Sequence, residues 1–264
     1  RFKYPTSEVF ALDGIDLRVG RNEFVAIIGQ NGSGKSTLVK HFNGLLRPRE
    51  GSVRILGFDT AETPVWELSK RVGYVFQNPD LQLFNPTVRK EIDFSLKAID
   101  FPADKREHVV NAVTKRLNIQ QHLDVSPGTL DKGGRQRVAI ASVLAMNPDI
   151  FVIDEPTTGQ DPSNSRQVMN IARELHSEGK TIVFITHNME IVAEYAERAI
   201  VMWQGRVLFD GSVRELFQQT EVLKRSYLEA PQIVRLAQML REQGFPPTLM
   251  TPEEMLELIN ENRG

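Results

Sequence analysis

Gly29-Gln30-Asn31-Gly32-Ser33-Gly34-Lys35-Ser36-Thr37 fits G-x-x-x-x-G-K-[ST], the spacing of a phosphate-binding loop. Glycines let the backbone wrap closely around phosphate oxygens, and successive N–H groups then point into one nest. A helix starting behind the loop adds partial positive charge. Lys35 is placed to reach the β- and γ-phosphates and the Ser36 hydroxyl to ligate Mg²⁺, with Asn31, Gly32, Gly34 and Thr37 completing the binding set. The competing reading, a glycine-rich turn that precedes a lysine, weakens once the downstream acids are considered.

Those acids are Asp154 and Glu155, directly after the apolar run Ile150-Phe151-Val152-Ile153. The carboxyl ends of strands are where α/β folds bind ligands. Asp154 there suits the Mg²⁺ shell, and Glu155 suits polarising or deprotonating the attacking water. An acidic cap after a buried strand is the bland alternative. Gln77 follows the run ending at Phe76, where a neutral amide can touch both Mg²⁺ and the lytic water; a turn glutamine is equally compatible with its position. His187 closes Thr181–Thr186 and can hydrogen-bond a γ-phosphate, or simply cap its strand.

Elements must bring these residues together. Phe24–Ile28, Ser52–Leu56, Val72–Phe76, Ile150–Ile153, Thr181–Ile185 and Ala199–Met202 read as strands, and the alternating Gly14–Val19 as a half-buried one. Helices are expected over Ser36–Gly44, from an Asp104 cap through Val109, Val113 and Leu117, over 134–146, and over Pro162–Glu178 with proline at its start and Gly179 at its end. Apolar strands alternating with helices indicate a largely parallel α/β sheet. Between about Asp80 and Asn147 a helical insert interrupts it, and after Gly211 the chain reads as helical, broken near Gly244 and Pro246-Pro247.

The 264 residues allow one large or two modest domains. Net charge is −2 with acids and bases interleaved, which gives no basic face for nucleic acid. With no cysteine, disulfides, thiolate metal sites and cysteine nucleophiles are excluded. No apolar run approaches the ~20 residues of a spanning helix. Arg1-Phe2-Lys3-Tyr4-Pro5 reads as the end of a strand, so residues upstream are expected.

Together these stretches resemble the ATP-binding cassette (ABC) ATPase family over about residues 1–215. Gly29–Thr37 is similar to its Walker A, Ile150–Glu155 to its Walker B, Gln77 to its Q-loop glutamine, Thr158-Gly159-Gln160-Asp161 to its D-loop and His187 to its switch histidine. Tyr4 resembles the aromatic that stacks on adenine, with Phe10 the competing candidate. The resemblance implies an α/β P-loop NTPase fold, a mostly parallel RecA-like sheet with an antiparallel β region and a helical subdomain over about 80–147. Residues 216–264 then form a small C-terminal helical extension. It also implies ATP hydrolysis with Mg²⁺ and two cassettes that sandwich two ATP molecules head-to-tail, each site using one subunit's phosphate loop and the other's signature.

The signature departs from the family pattern Leu-Ser-Gly-Gly-Gln. Aligned without gaps in Thr129-Leu130-Asp131-Lys132-Gly133-Gly134-Arg135, Asp131 stands for the serine, Lys132 for the first glycine and Gly134 for the glutamine. A carboxylate about 4 Å from a phosphate charge repels it by roughly 4 kcal/mol at an effective dielectric near 20. Lys132 offsets part of that, and Asp131 can also simply cap its helix. Asp131, Gly133 and Gly134 are nonetheless the family's contact positions for the partner's nucleotide. An intact hydrolytic set beside an altered signature implies a heterodimer with one slow site.

Gln77-Asn78-Pro79-Asp80-Leu81-Gln82-Leu83-Phe84, Thr87-Val88, Glu91-Ile92 and the tail from about Pro231 resemble the energy-coupling-factor (ECF) branch of vitamin and metal importers. That branch implies a second ATPase subunit, a transmembrane coupling protein, a substrate-binding membrane subunit and a place on the cytoplasmic face of the membrane. Asp80–Phe84 is then the transmission contact, with Asp80 able to meet an arginine. The apolar faces Ile233, Leu236, Leu240 and Met255, Leu256, Ile259 pack either between subunits or on their own domain. A soluble, non-transport ABC ATPase lacks support from any basic face or long coiled coil. A non-hydrolysing regulatory cassette should have lost Glu155 or His187.

Overall fold

The computed structural model describes residues 1–155 and 162–261. Eight strands are present among them: β1 Phe24–Ile28, β2 Arg54–Ile55, β3 Phe58–Asp59, β4 Val72–Val75, β5 Ile150–Asp154, β6 Thr181–Thr186, β7 Arg198–Trp203 and β8 Arg206–Ser212. Six form one sheet in the order β4-β5-β6-β1-β7-β8. All neighbours in it are parallel except β7 and β8. Period-two alternation splits β1 between two apolar layers. Phe24, Ala26 and Ile28 face the core shared with the helical insert, while Val25 and Ile27 face the helix Lys35–Phe42.

Four consecutive strands, β4, β5, β6 and β1, run parallel, so their carboxyl ends line one edge of the sheet. Gln77, Asp154-Glu155, His187 and Gly29–Thr37 sit at or just beyond those four ends. The α/β architecture expected from the alternating pattern is therefore what gathers residues 77, 155 and 187 from distant parts of the chain.

Helices Val88–Ala98, Ala103–Arg116 and Lys132–Ala145 make up the insert, and the first packs against both others. Two expectations need correction, and one strand of the six-stranded sheet was not anticipated. Gly14–Val19 is not a strand; its burial alternates as expected, with Ile15, Leu17 and Val19 turned towards the core, but no ladder partner lies beside it among the described residues. Asp104 does not cap its helix. Pro102 takes that position, two residues earlier, with its ring holding φ at −53°, and Asp104 falls in the first turn. Strand β8 escaped the sequence pattern because its residues are only half-buried; it is held to β7 by Arg198, which grips Asp210 through two hydrogen bonds of 2.6 and 2.7 Å.

Beyond β8 come helices Val213–Gln218, Thr220–Arg225, Gln232–Met239 and Pro252–Glu261. Ser212 and Glu215 form a reciprocal capping box at the first. The face of Gln232–Met239 that is buried is Val234 and Ala237, flanked by Ile233, whereas Leu236 points outward. Val234 joins the main core, and Ala237 joins a small cluster with Leu249 and Met255. Among the described residues no helix is long and apolar enough to cross a membrane.

Candidate functional site

Two glycines of the loop are required by crowding as well as conformation. A Cβ on Gly29 would lie 2.3 Å from the Met202 carbonyl oxygen, and one on Gly34 2.6 Å from that of Ala11. Gly34, left-handed at φ 103°, is the N-cap of Lys35–Phe42, and no side chain caps that helix. Its first N–H groups are thus left facing the loop for a ligand to satisfy.

Lys35 is only 6% exposed. Its ammonium donates to the carbonyl oxygens of Gly29 and Gln30, each at 2.8 Å. Burial lowers its pKa, and the charges of Glu155 and Asp154 oppose that shift. The side chain therefore lies folded over the loop, within the field of both acids.

The Ser36 hydroxyl donates to Asp154 Oδ1 at 3.4 Å. A hydroxyl and a buried carboxylate are hard oxygen donors, and Mg²⁺ bound with nucleotide phosphates takes only one or two such protein ligands. The donor set fits. No group of three or more His, Cys, Asp or Glu side chains placed to hold a metal ion occurs among the described residues.

Glu155 is 8% exposed and left-handed at φ 51°, with its N–H donating to the Ile185 carbonyl at 3.0 Å. Its Oε2 lies 2.9 Å from His187 Nδ1. Adjacent parallel strands thus deliver an acid and an imidazole to one point. The Tyr4 hydroxyl meets Thr37 Oγ1 at 3.1 Å, and its ring stands edge-on to Phe2 with centroids 5.0 Å apart. Phe10 instead lies under the cations of Arg1 and Lys3.

Tyr4 thus meets Thr37, Ser36 meets Asp154 and Glu155 meets His187, while Lys35 lies in the field of both acids. Asn31 and Gly32 lie on the loop, Asn31 exposed, and Gln77 is exposed at its strand end with no side-chain hydrogen bond among the described residues. The Asp131–Gly134 stretch is separate. Asp131 is the N-cap of Lys132–Ala145, its carboxylate accepting from the Gly134 N–H at 2.6 Å. Gly133 and Gly134 are buried. The Asp131 carboxylate is thereby fixed at the mouth of a helix N-terminus. Thr158-Gly159-Gln160-Asp161 lies outside the described residues.

The sequence pattern missed several positioning residues. Arg135 pairs with Asp80 at 2.8 Å and donates to the Leu130 carbonyl at 2.6 Å. The arginine that Asp80 meets is thus one of its own chain. Gln82 accepts from the Phe76 N–H at 3.2 Å and donates to Ala139 O and Ser142 Oγ at 2.9 and 3.1 Å. Buried Glu91 accepts from the N–H groups of Phe84 and Asn85. Tyr74 donates to Asp154 Oδ2 at 2.6 Å. A tyrosine inside an otherwise apolar strand was the signal available for the last.

Comparison with known proteins places the chain by family and fold. Residues 12–158 match the family described as ABC transporter. The energy-coupling factor transporter ATP-binding protein EcfA1 of Symbiobacterium thermophilum is 44% identical over 94% of this chain and 88% of its own length. The solved structure of cbiO1 from Clostridium perfringens, part of the ABC transporter complex cbiONQ, superposes with a TM-score of 0.75 at 35% identity, covering 90% of this chain and 95% of that one. The ATP-binding cassette MJ0796, solved as a dimer in a post-hydrolysis state with ADP and Pi, gives a TM-score of 0.72 at 30% identity over 80% and 94%. The chain spans about two fifths of the length of some curated relatives, such as the ABC transporter ATP-binding protein of Methanosarcina acetivorans, of which it covers 41%.

Proposed function

This chain belongs to the ABC transporter family, whose ATP-binding subunits hydrolyse ATP, and from that premise we propose that it energises a membrane importer of a vitamin, metal ion or similar micronutrient. It works at the cytoplasmic face as half of a heteromeric pair of cassettes, with a transmembrane coupling protein and a substrate-binding membrane subunit. Residues 1–215 are the ATPase domain and 216–264 a helical extension that aids pairing. The relatives named for energy-coupling factor transport support the importer reading, and the dimeric, ADP-bound neighbour supports pairing.

One observation carries the assignment. Lys35, Ser36, Asp154, Glu155 and His187 converge at the carboxyl ends of β1, β5 and β6. In this reading Lys35 leaves the Gly29 and Gln30 carbonyls for the β- and γ-phosphates, and Tyr4 stacks on the base. Glu155 takes a proton from the attacking water, while His187 orients it. Ser36, Asp154 and Gln77 hold Mg²⁺, which when bound neutralises charge on the phosphate oxygens. Asp131, Gly133 and Gly134 face the nucleotide of the other cassette.

The exposed side chains Leu81 and Phe84, the latter edge-on to Phe94 at 5.0 Å, offer the coupling protein an apolar contact beside Gln77. Outward-facing Leu236, Met239 and Leu256 offer the second cassette another. The decisive experiment is purification with a second cassette and the coupling membrane protein. Stimulated ATP turnover in that complex is expected; nucleotide affinity without any membrane partner or stimulation would favour a soluble ABC ATPase.

Two substitutions probe the site directly. Tyr4→Ala should weaken ATP binding by about tenfold, since stacking on a base is worth about 1–3 kcal/mol, while Tyr4→Trp should preserve it; a fluorescent-nucleotide titration reads both. Asp131→Ser keeps a competent N-cap, so thermal stability should change little. It removes the carboxylate facing the partner's nucleotide, so turnover of the assembled pair should rise severalfold. Unchanged turnover would mean the altered signature carries no slow site.

A further inference from the structure

We propose that Tyr74 is a positioning residue for the metal-holding carboxylate of Asp154. The inference rests on the reading above, in which Asp154 belongs to the Mg²⁺ shell.

Strand register puts Tyr74 there. Tyr74 pairs with Val152 across β4 and β5, so Asp154 lies two residues further along the neighbouring strand, on the same face. That diagonal is within reach of a long aromatic side chain. The phenol donates to Asp154 Oδ2 at 2.6 Å, whereas Oδ1 is the oxygen that meets Ser36. One oxygen of the carboxylate is thus taken by the protein and the other is aimed at the phosphate-loop helix. An aspartate without this bond can rotate about its terminal torsion and share either oxygen. With it, the ligand oxygen is chosen before the nucleotide arrives.

The phenol is also locked. Tyr74 is 7% exposed, and Phe76 stands edge-on to its ring at 4.8 Å. An ionised carboxylate only accepts hydrogen bonds, so the phenol is the donor in this pair. Phe76 immediately precedes Gln77, so the strand that fixes Asp154 is also the one that carries the other proposed metal contact.

The test uses Mn²⁺ as the probe, followed by electron paramagnetic resonance on the ATP-loaded protein, together with ATP affinity in EDTA and melting temperature. Tyr74→Phe keeps the ring and removes the hydroxyl. Mn²⁺ affinity should fall about tenfold, the size expected for one hydrogen bond to a charged group, with metal-free ATP affinity unchanged. In an Asp154→Asn background Tyr74→Phe should add no further loss. Wild-type Mn²⁺ affinity in Tyr74→Phe overturns the proposal, as does an equal fall in metal-free ATP affinity or a collapse of the fold, either of which marks a structural tyrosine. If Asp154→Asn alone leaves Mn²⁺ binding intact, the underlying assignment of Asp154 fails instead.

Discussion

Glu155→Gln lowers steady-state ATP hydrolysis by about 10²–10⁴-fold, the range spanned by a positioned general base, and leaves nucleotide binding in place. The carboxylate is buried at the end of β5, its Oε2 held 2.9 Å from His187 Nδ1. Its left-handed backbone, φ 51°, is fixed by the bond from its N–H to Ile185. Holding a non-glycine residue there costs about 1–3 kcal/mol, which persists only where surroundings dictate the geometry. Glutamine has the same shape and adopts the same backbone, but its amide cannot accept the proton of an attacking water. Phosphate release paired with an equilibrium ATP titration measures both halves of the prediction. In a heteromeric pair the equivalent substitution in the second cassette should be mild, because its catalytic base would serve the slow site. Full turnover in Glu155→Gln would remove Glu155 from the mechanism.

Lys35→Ala has the other large effect, on binding rather than turnover. Its ammonium lies against two loop carbonyls at 2.8 Å and in the field of Asp154 and Glu155. A triphosphate adds further negative charge to that enclosure. Without the lysine, the buried acids and the phosphates face one another with less compensation. Truncating one partner of a buried, hydrogen-bonded charge pair costs about 2–5 kcal/mol, so ATP affinity should drop at least about thirtyfold. The rise in melting temperature on adding ATP should shrink accordingly, since ligand stabilisation follows the ratio of concentration to Kd. A Lys35→Ala protein that keeps wild-type affinity would falsify the phosphate-loop assignment.

What could be read from the sequence was local in the chain. The phosphate loop is nine consecutive residues, Gly29–Thr37, and Asp154-Glu155 adjoin the apolar run that places them. Buried strands were equally legible, because a continuous apolar run as short as Phe24–Ile28 suits a strand covered on both faces. Half-buried elements were not. Gly14–Val19 has the alternation of a strand but no ladder partner among the described residues, and β8 has a partner without a clear alternation. Pairing decides both, and pairing is a property of the fold. The same holds for side chains that act at long range: Tyr74 and Asp154 are 80 residues apart in sequence, and only the register of β4 on β5 brings them into contact. Asp131 illustrates a third case. Its helix-capping role was one of two readings open from sequence, and the 2.6 Å bond to Gly134 realises it without removing the carboxylate from the helix mouth.

The Gln82 amide has a mechanical meaning. It binds the end of β4 through Phe76 and the helix Lys132–Ala145 through Ala139 and Ser142, and the Asp80 and Arg135 pair adds a second fastening nearby. The stretch bearing Leu81 and Phe84 is therefore tied at Asp80 and Gln82 to the insert helix and at Gln82 to the end of β4. In the proposed complex, a load on those two hydrophobic residues would meet these ties rather than a loose loop, and the helix they reach is the one whose N-cap is Asp131.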